Sequence, residues 1–163
     1  PVPRPDDPAS AMETTPSREN PYGFEQVEHT ADVGLRAWGR TIEELFEQVG
    51  AGMASLLVDP ATVRAGERRH VAFAADDLEE GLIALLQEIL YLYEVGHFAP
   101  AGVAVARAAP ESVTADILGE PLDPGRHGTR TDIKAATYHD LRIRAVPDAD
   151  GDVRYETVVI FDI

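Results

Sequence analysis

No cysteine occurs among the 163 residues. That excludes a disulfide scaffold, a thiolate zinc site, an iron–sulfur cluster and a cysteine nucleophile. No apolar run approaches the roughly 18 residues that a membrane-spanning helix needs. Lysine appears once, at Lys134, and every other strong base is arginine. Cations are scarce altogether, with 14 Lys and Arg against 29 Asp and Glu and a formal net charge of −15. Phosphate backbones are bound by clustered positive charge, so tight direct nucleic-acid binding is not expected. Basic protein surfaces and divalent cations should be drawn to such a chain, although plain solubility would account for the excess acid equally well. Missing too are a glycine-rich phosphate loop, a dinucleotide fingerprint, a G-x-S-x-G elbow and an H-E-x-x-H pair. The common enzyme signatures are absent.

What remains is an ordinary globular composition, 44% hydrophobic and 26% charged, in 17.7 kDa. That is one domain's worth of chain, enough to bury a core without a metal or a disulfide. Residues 1–21 contain six prolines and almost no apolar periodicity, and are expected to form a disordered leader. They show neither the basic start and apolar stretch of a secretory signal nor the Arg-rich character of a transit peptide, so a cytoplasmic location is expected. The leader holds four acids and two arginines, so residues 22–163, expected to form a single domain, carry −13 of the −15.

Within that domain, segments of period 2 and period 3.6 follow one another. Phe24 to Trp38 is strand-like, with Phe24, Val27, Val33, Leu35 and Trp38 as apolar posts and a bend or bulge at His29-Thr30-Ala31-Asp32. Thr41 and Glu44 form a capping box ahead of the stripe Ile42, Leu45, Phe46, Val49, Met53, Leu56 and Leu57, a helix stopped by Asp59-Pro60. Val71, Phe73 and Ala75 alternate as a short strand. Asp77 and Glu80 cap a second helix with Leu78, Leu82, Leu85, Leu86, Ile89, Leu90 and Tyr93 on its apolar face, ending at Gly96. Everything after it reads as strand: Val103 and Val105, then Val113 to Ile117, then Ile133–Tyr138 and Leu141–Val146 as two strands or one bent one. Asp148–Gly151 makes a hairpin turn into a last strand, Tyr155–Ile163. This order predicts an α+β fold, an antiparallel or mixed sheet of about six to seven strands packed against two helices.

Three places could hold chemistry. At His29-Thr30-Ala31-Asp32 a polar stretch interrupts a strand, where an aspartate suits either an Asx-turn or a hard-cation ligand. At Phe161-Asp162-Ile163 an acid closes a strongly apolar strand. If Ile163 is the natural last residue, two carboxylates stand within one residue of each other. Like charges that close raise each other's pKa unless a cation or an arginine neutralises them, and a frayed exposed end would fit as well. The third place is Asp132 to His139, which contains the single lysine, a point charge suited to a carboxylate or a phosphate. Nearby, Arg126-His127 lies in a Gly/Pro-rich loop long enough to bind something, although loop histidines are most often solvated. A zinc or iron site from His29, His127, His139 and Asp32 has no spacing support, and oxygen donors favour calcium or magnesium.

Read together, these segments resemble the archease family. The resemblance rests on His29-Thr30-Ala31-Asp32-Val33-Gly34, Thr41-Ile42-Glu43-Glu44-Leu45-Phe46, Leu85-Leu86-Gln87-Glu88-Ile89-Leu90-Tyr91-Leu92 and Arg126-His127. Ile133-Lys134-Ala135-Ala136-Thr137-Tyr138-His139 and the closing Ile160-Phe161-Asp162-Ile163 complete it, spanning nearly everything from Tyr22 onward. The resemblance implies a non-catalytic protein cofactor of the RtcB-type RNA ligase, a GTP- and manganese-dependent enzyme. Such a cofactor promotes the ligase's guanylylation and multiple turnover in tRNA splicing and RNA repair. It implies a divalent-ion site, calcium in the family and with magnesium or manganese as alternatives, held by Asp32, Asp162 and a main-chain oxygen of Ile163. It makes Lys134 the residue needed for activating the partner, together with Asp32 and Asp162, with His29 and His139 as outer groups beside the ligands. No membrane partner is implied. Two other functions compete: a general chaperone or adaptor of RNA-modifying proteins, and a metal-dependent phosphohydrolase using Asp32 and Asp162.

Overall fold

In the computed structural model, which describes residues 20–29 and 31–163 (of His29 the backbone only), both predicted helices form where their caps place them. The expected leader lies outside the described residues except for Asn20 and Pro21. Helix α1 spans Ile42–Leu57, and the Thr41 hydroxyl accepts the Glu44 N–H at 3.0 Å. The Glu44 carboxylate reaches one residue further back than a capping box requires, accepting the Arg40 N–H at 2.9 Å and pairing with its guanidinium. Helix α2, Leu78–Glu94, repeats the device: Asp77 accepts the Glu80 N–H at 2.7 Å, and Glu80 accepts the Asp76 N–H at 2.9 Å. Each cap stabilises its helix by about 1 kcal/mol.

Eight strands complete the fold: β1 (Gly23–His29), β2 (Asp32–Gly39), β3 (Glu67–Phe73), β4 (Phe98–Ala109), β5 (Ser112–Pro121), β6 (Ala135–Thr137), β7 (Arg144–Pro147) and β8 (Val153–Asp162). They divide into two antiparallel sheets. One runs β1-β2-β8, with β6 and β7 both pairing along the far edge of β8; the other runs β3-β5-β4. The α+β class and the helix pair are as expected. Alternation shows which residues of a strand share a face, not which strands are neighbours, so the division into two sheets was not visible in it.

Two local readings sharpen. The interruption at residues 29–32 is neither a bend nor a bulge but a full reversal: His29 pairs with Asp32, and Ala31 sits at φ 66°. Two-residue hairpin turns require such left-handed backbone. Ile133–Val146 is not one bent strand, because β6 and β7 are separated by a turn that has Asp140 at φ 51°.

Helix α1 lies between the sheets. A Cβ on Gly50 would meet Val103 of β4 at 2.4 Å, and one on Gly52 would meet Leu35 of β2 at 2.4 Å. Both glycines lower helix propensity, and both let a sheet approach the helix backbone. Leu45, Phe46, Val49, Met53 and Leu57 of α1, with Leu82, Leu85, Leu86 and Ile89 of α2, are buried against Leu35, Val113, Ile117, Val159 and Phe161. Along β2 and β8 the odd-numbered Val33, Leu35, Ala37, Val159 and Phe161 face this core, and the even-numbered residues alternate onto the opposite face. No described helix is long and apolar enough to cross a membrane.

Candidate functional site

The sheet register brings three of the sequence-singled positions to one end of the five-stranded sheet. Val33 pairs with Phe161 at the last rung of the β2–β8 ladder, so Asp32 and Asp162 are the next residues on these two strands. Both share the phase of Gly34, Arg36 and Ile160, on the face away from the helices. On the far side of β8, Ala135 pairs with Asp162, and the Lys134 N–H donates to the Asp162 carbonyl at 2.8 Å. Lys134, Asp162 and Ile163 are exposed, and Asp32 is half-buried. The end of β1 adds the His29 backbone opposite Asp32; its side chain lies outside the described residues.

The register does not bring His139 to this end. It follows Thr137, which pairs with Ile160, and so lies beyond β6 on the side away from Asp162, with its Nε2 3.3 Å from the Asp140 carboxylate. Nor does His127 join it. Although it belongs to a loop, its side chain is fully buried, and both ring nitrogens are engaged. The Asp123 N–H donates to Nδ1 at 2.8 Å, which leaves Nε2 as the protonated nitrogen, 2.7 Å from the Glu120 carboxylate. No lone pair is left for a metal. Among the described residues no group of three or more His, Asp or Glu side chains is gathered to hold an ion.

Glu120 is the centre of this second cluster. It also accepts from Arg126 at 2.8 Å and from the Arg64 N–H at 3.3 Å. The His127 hydrogen bond first, and those of Arg126 and Arg64 after it, hold its carboxyl at about 2, against an ordinary 4.5. A carboxyl lowered on folding stabilises the native state above its unfolded value, and that contribution fades as pH falls from about 4.5 through about 2. Glu120→Gln should therefore flatten the decline of stability across that acid range, measured by urea unfolding at a series of pH values. An acid limb identical to wild type would remove Glu120 from the pH dependence.

A recess lies at the N-terminus of α2, where the capping acids meet Tyr138. Asp77, Glu79, Glu80, Tyr138 and Leu141 line this recess of about 430 Å³. Partial desolvation at the recess, with the negative charges of Glu80 and Asp77, pushes the hydroxyl of the otherwise exposed Tyr138 up from its ordinary value. The carboxylates there already serve the backbone: Asp77 and Glu80 as caps, and Glu79 by accepting the Ile143 N–H at 3.1 Å.

Fold and site together define a small α+β protein: two antiparallel sheets enclose a helix pair, and an acidic sheet end is edged by a lone lysine. A family model described as Archease protein family (MTH1598/TM1083) matches residues 24–163. The chain belongs to the archease family. It is 38% identical to the protein archease of Thermococcus gammatolerans over 128 residues, covering 77% of this chain and 90% of that one. It is 31% identical to the archease-like protein of Drosophila melanogaster over 159 residues, covering 93% of this chain and 100% of the other. The solution structure of Methanobacterium thermoautotrophicum protein 1598 is similar with a TM-score of 0.68 at 29% identity, covering 86% of this chain and 99% of that one.

Proposed function

We propose that this chain is a non-catalytic activator of an RtcB-type RNA ligase, promoting guanylylation and repeated turnover of that enzyme in tRNA splicing or RNA repair in the cytoplasm. One observation carries the reading: in an archease-family chain, the hydrogen-bonded edge that presents Lys134 is the strand end carrying Asp162, next to Asp32. The chain's charge of −15 supports it as well. An RNA ligase must hold phosphate backbones with clustered cations, and such a surface attracts an acidic partner over several ångströms.

The donor set at this end fits a hard divalent ion. Asp32 and Asp162 offer carboxylate oxygens and Ile163 a main-chain oxygen, with no sulfur or paired imidazole among them. Calcium accepts such donors in flexible geometry, and magnesium or manganese would bind the same atoms with stricter demands. Bound there, the ion would supply a fixed positive charge. The chain's own contribution is to hold two acids on adjacent strands, with the exposed Lys134 bonded through its backbone to the strand that carries Asp162.

The test is a guanylylation assay of the cognate ligase with GTP and manganese, with and without this chain. The wild-type chain should accelerate guanylylation at ratios well below one per ligase, and Lys134→Ala should lose most of that acceleration while folding normally. An effect seen only at stoichiometric amounts would point to an adaptor. No acceleration by wild type would end the reading.

A further inference from the structure

The segment that delivers Lys134 is tied down along nearly all its length, and its anchor is the buried His127. Residues 122–134 join β5 to β6 as a strap without a helix or strand of their own. The strap begins with the two ring hydrogen bonds of His127, to the Asp123 N–H and to Glu120. Gly128 then donates to the Thr62 hydroxyl at 3.2 Å and accepts the Asp59 N–H at 2.7 Å. Thr129 bridges to Val58. The Arg130 and Thr131 N–H groups donate to the carbonyls of Leu57 and Leu56, both at 2.9 Å, and the Arg130 guanidinium donates to Ser55 O at 3.2 Å.

Those carbonyls belong to the last turn of α1, which has no intrahelical donors for them. The strap is therefore the C-terminal cap of α1, and the helix in turn fixes the strap. Ile133 is buried, and Lys134 closes the segment with its bond to Asp162. Imidazole suits the anchor because it accepts a backbone N–H on one nitrogen while donating to a carboxylate from the other. A side-chain amide carries its oxygen and nitrogen on one carbon. Glutamine set to donate where Nε2 stands therefore cannot also accept at the Nδ1 position, and asparagine set to accept there cannot reach Glu120.

We infer that His127 is a positioning residue for Lys134: its two ring hydrogen bonds fix the start of the strap that ties the Lys134 backbone to the Asp162 strand end. The inference rests on the role proposed above for Lys134. A strap without its anchor would leave the lysine out of place for much of the time in the engaged complex, which weakens a step that depends on placement.

Two measurements on the full chain test it. Amide hydrogen exchange of His127→Ala should be at least about tenfold faster than wild type at Arg130, Thr131 and Lys134, and unchanged in the β4–β5 ladder. In the guanylylation assay the maximal acceleration should fall by about tenfold or more, while the amount of chain giving half the effect stays the same. His127→Gln, which keeps the donor to Glu120, should recover most of both and carries the test if His127→Ala does not fold. Val113→Ala, a core change remote from the strap, serves as the control for stability loss alone and should keep full acceleration. His127 variants that behave like this control in exchange and acceleration overturn the inference while Lys134→Ala still separates from wild type. A wild-type chain that fails to accelerate the ligase overturns the proposed function and the inference with it.

Discussion

Calcium should raise the melting temperature of the wild-type chain and leave Asp162→Asn and Asp32→Asn nearly where they were. This is the expected result of thermal unfolding with and without the ion, after chelation to remove what the protein carries. An ion at one hundred times its dissociation constant stabilises the folded form by about 2.7 kcal/mol. In a domain of this size that shifts the midpoint by roughly 5–10 °C. Asparagine preserves the volume of each side chain and removes its charge, so the folded variants report on the donors and not on packing. Asp32 and Asp162 occupy neighbouring positions at the end of the β2–β8 ladder, so either change should remove most of the effect. Magnesium and manganese, tested in parallel, rank the ions. Equal shifts in wild type and both variants would place the ion elsewhere, and no shift in wild type with any of the three would remove the site.

Phe161→Ala has the largest expected effect on stability. The ring is fully buried, on the rung shared by Val33 of β2 and Ala136 of β6, beneath the face that α1 and α2 cover. Truncating such a ring loses its transfer free energy and leaves a cavity, together about 3–5 kcal/mol. A domain has only about 5–15 kcal/mol in all. Val158→Ala on the same strand removes an exposed side chain and should stay within about 0.5 kcal/mol. Urea unfolding of the two variants beside wild type makes the comparison. A loss below about 1 kcal/mol for Phe161→Ala would mean that the β8 side chains do not alternate as described. The same residue precedes Asp162, so a slip of one position in β8 would also turn that carboxylate toward the core.

The helices were legible because their signals are local. Thr41 and Asp77 cap within one turn, and the apolar stripes repeat every three to four residues. The strands were legible as alternation, and their partners were not. Nothing within Asp32-Val33-Gly34 states that β8, more than a hundred residues later, will lie against it. The archease resemblance, and not the residue pattern, supplied the expectation that the two acids belong together. His127 shows the opposite failure. A histidine in a loop flanked by glycine and arginine reads as solvated, yet Glu120 and the Asp123 N–H satisfy both nitrogens and allow complete burial. Its signal would have been a carboxylate seven residues earlier, a spacing with no meaning until the turn at residues 123–127 closes.

Composition and short-range order therefore determined the class of the protein, its helices with their caps, the alternation of its strands and its acidity, because each depends on neighbours a few residues apart. Tertiary structure decided how the strands divide into two sheets, which acids meet at the end of one of them, and what holds the strap before Lys134. These depend on register between distant strands and on burial, which satisfies or strands polar groups only once the chain has closed on itself.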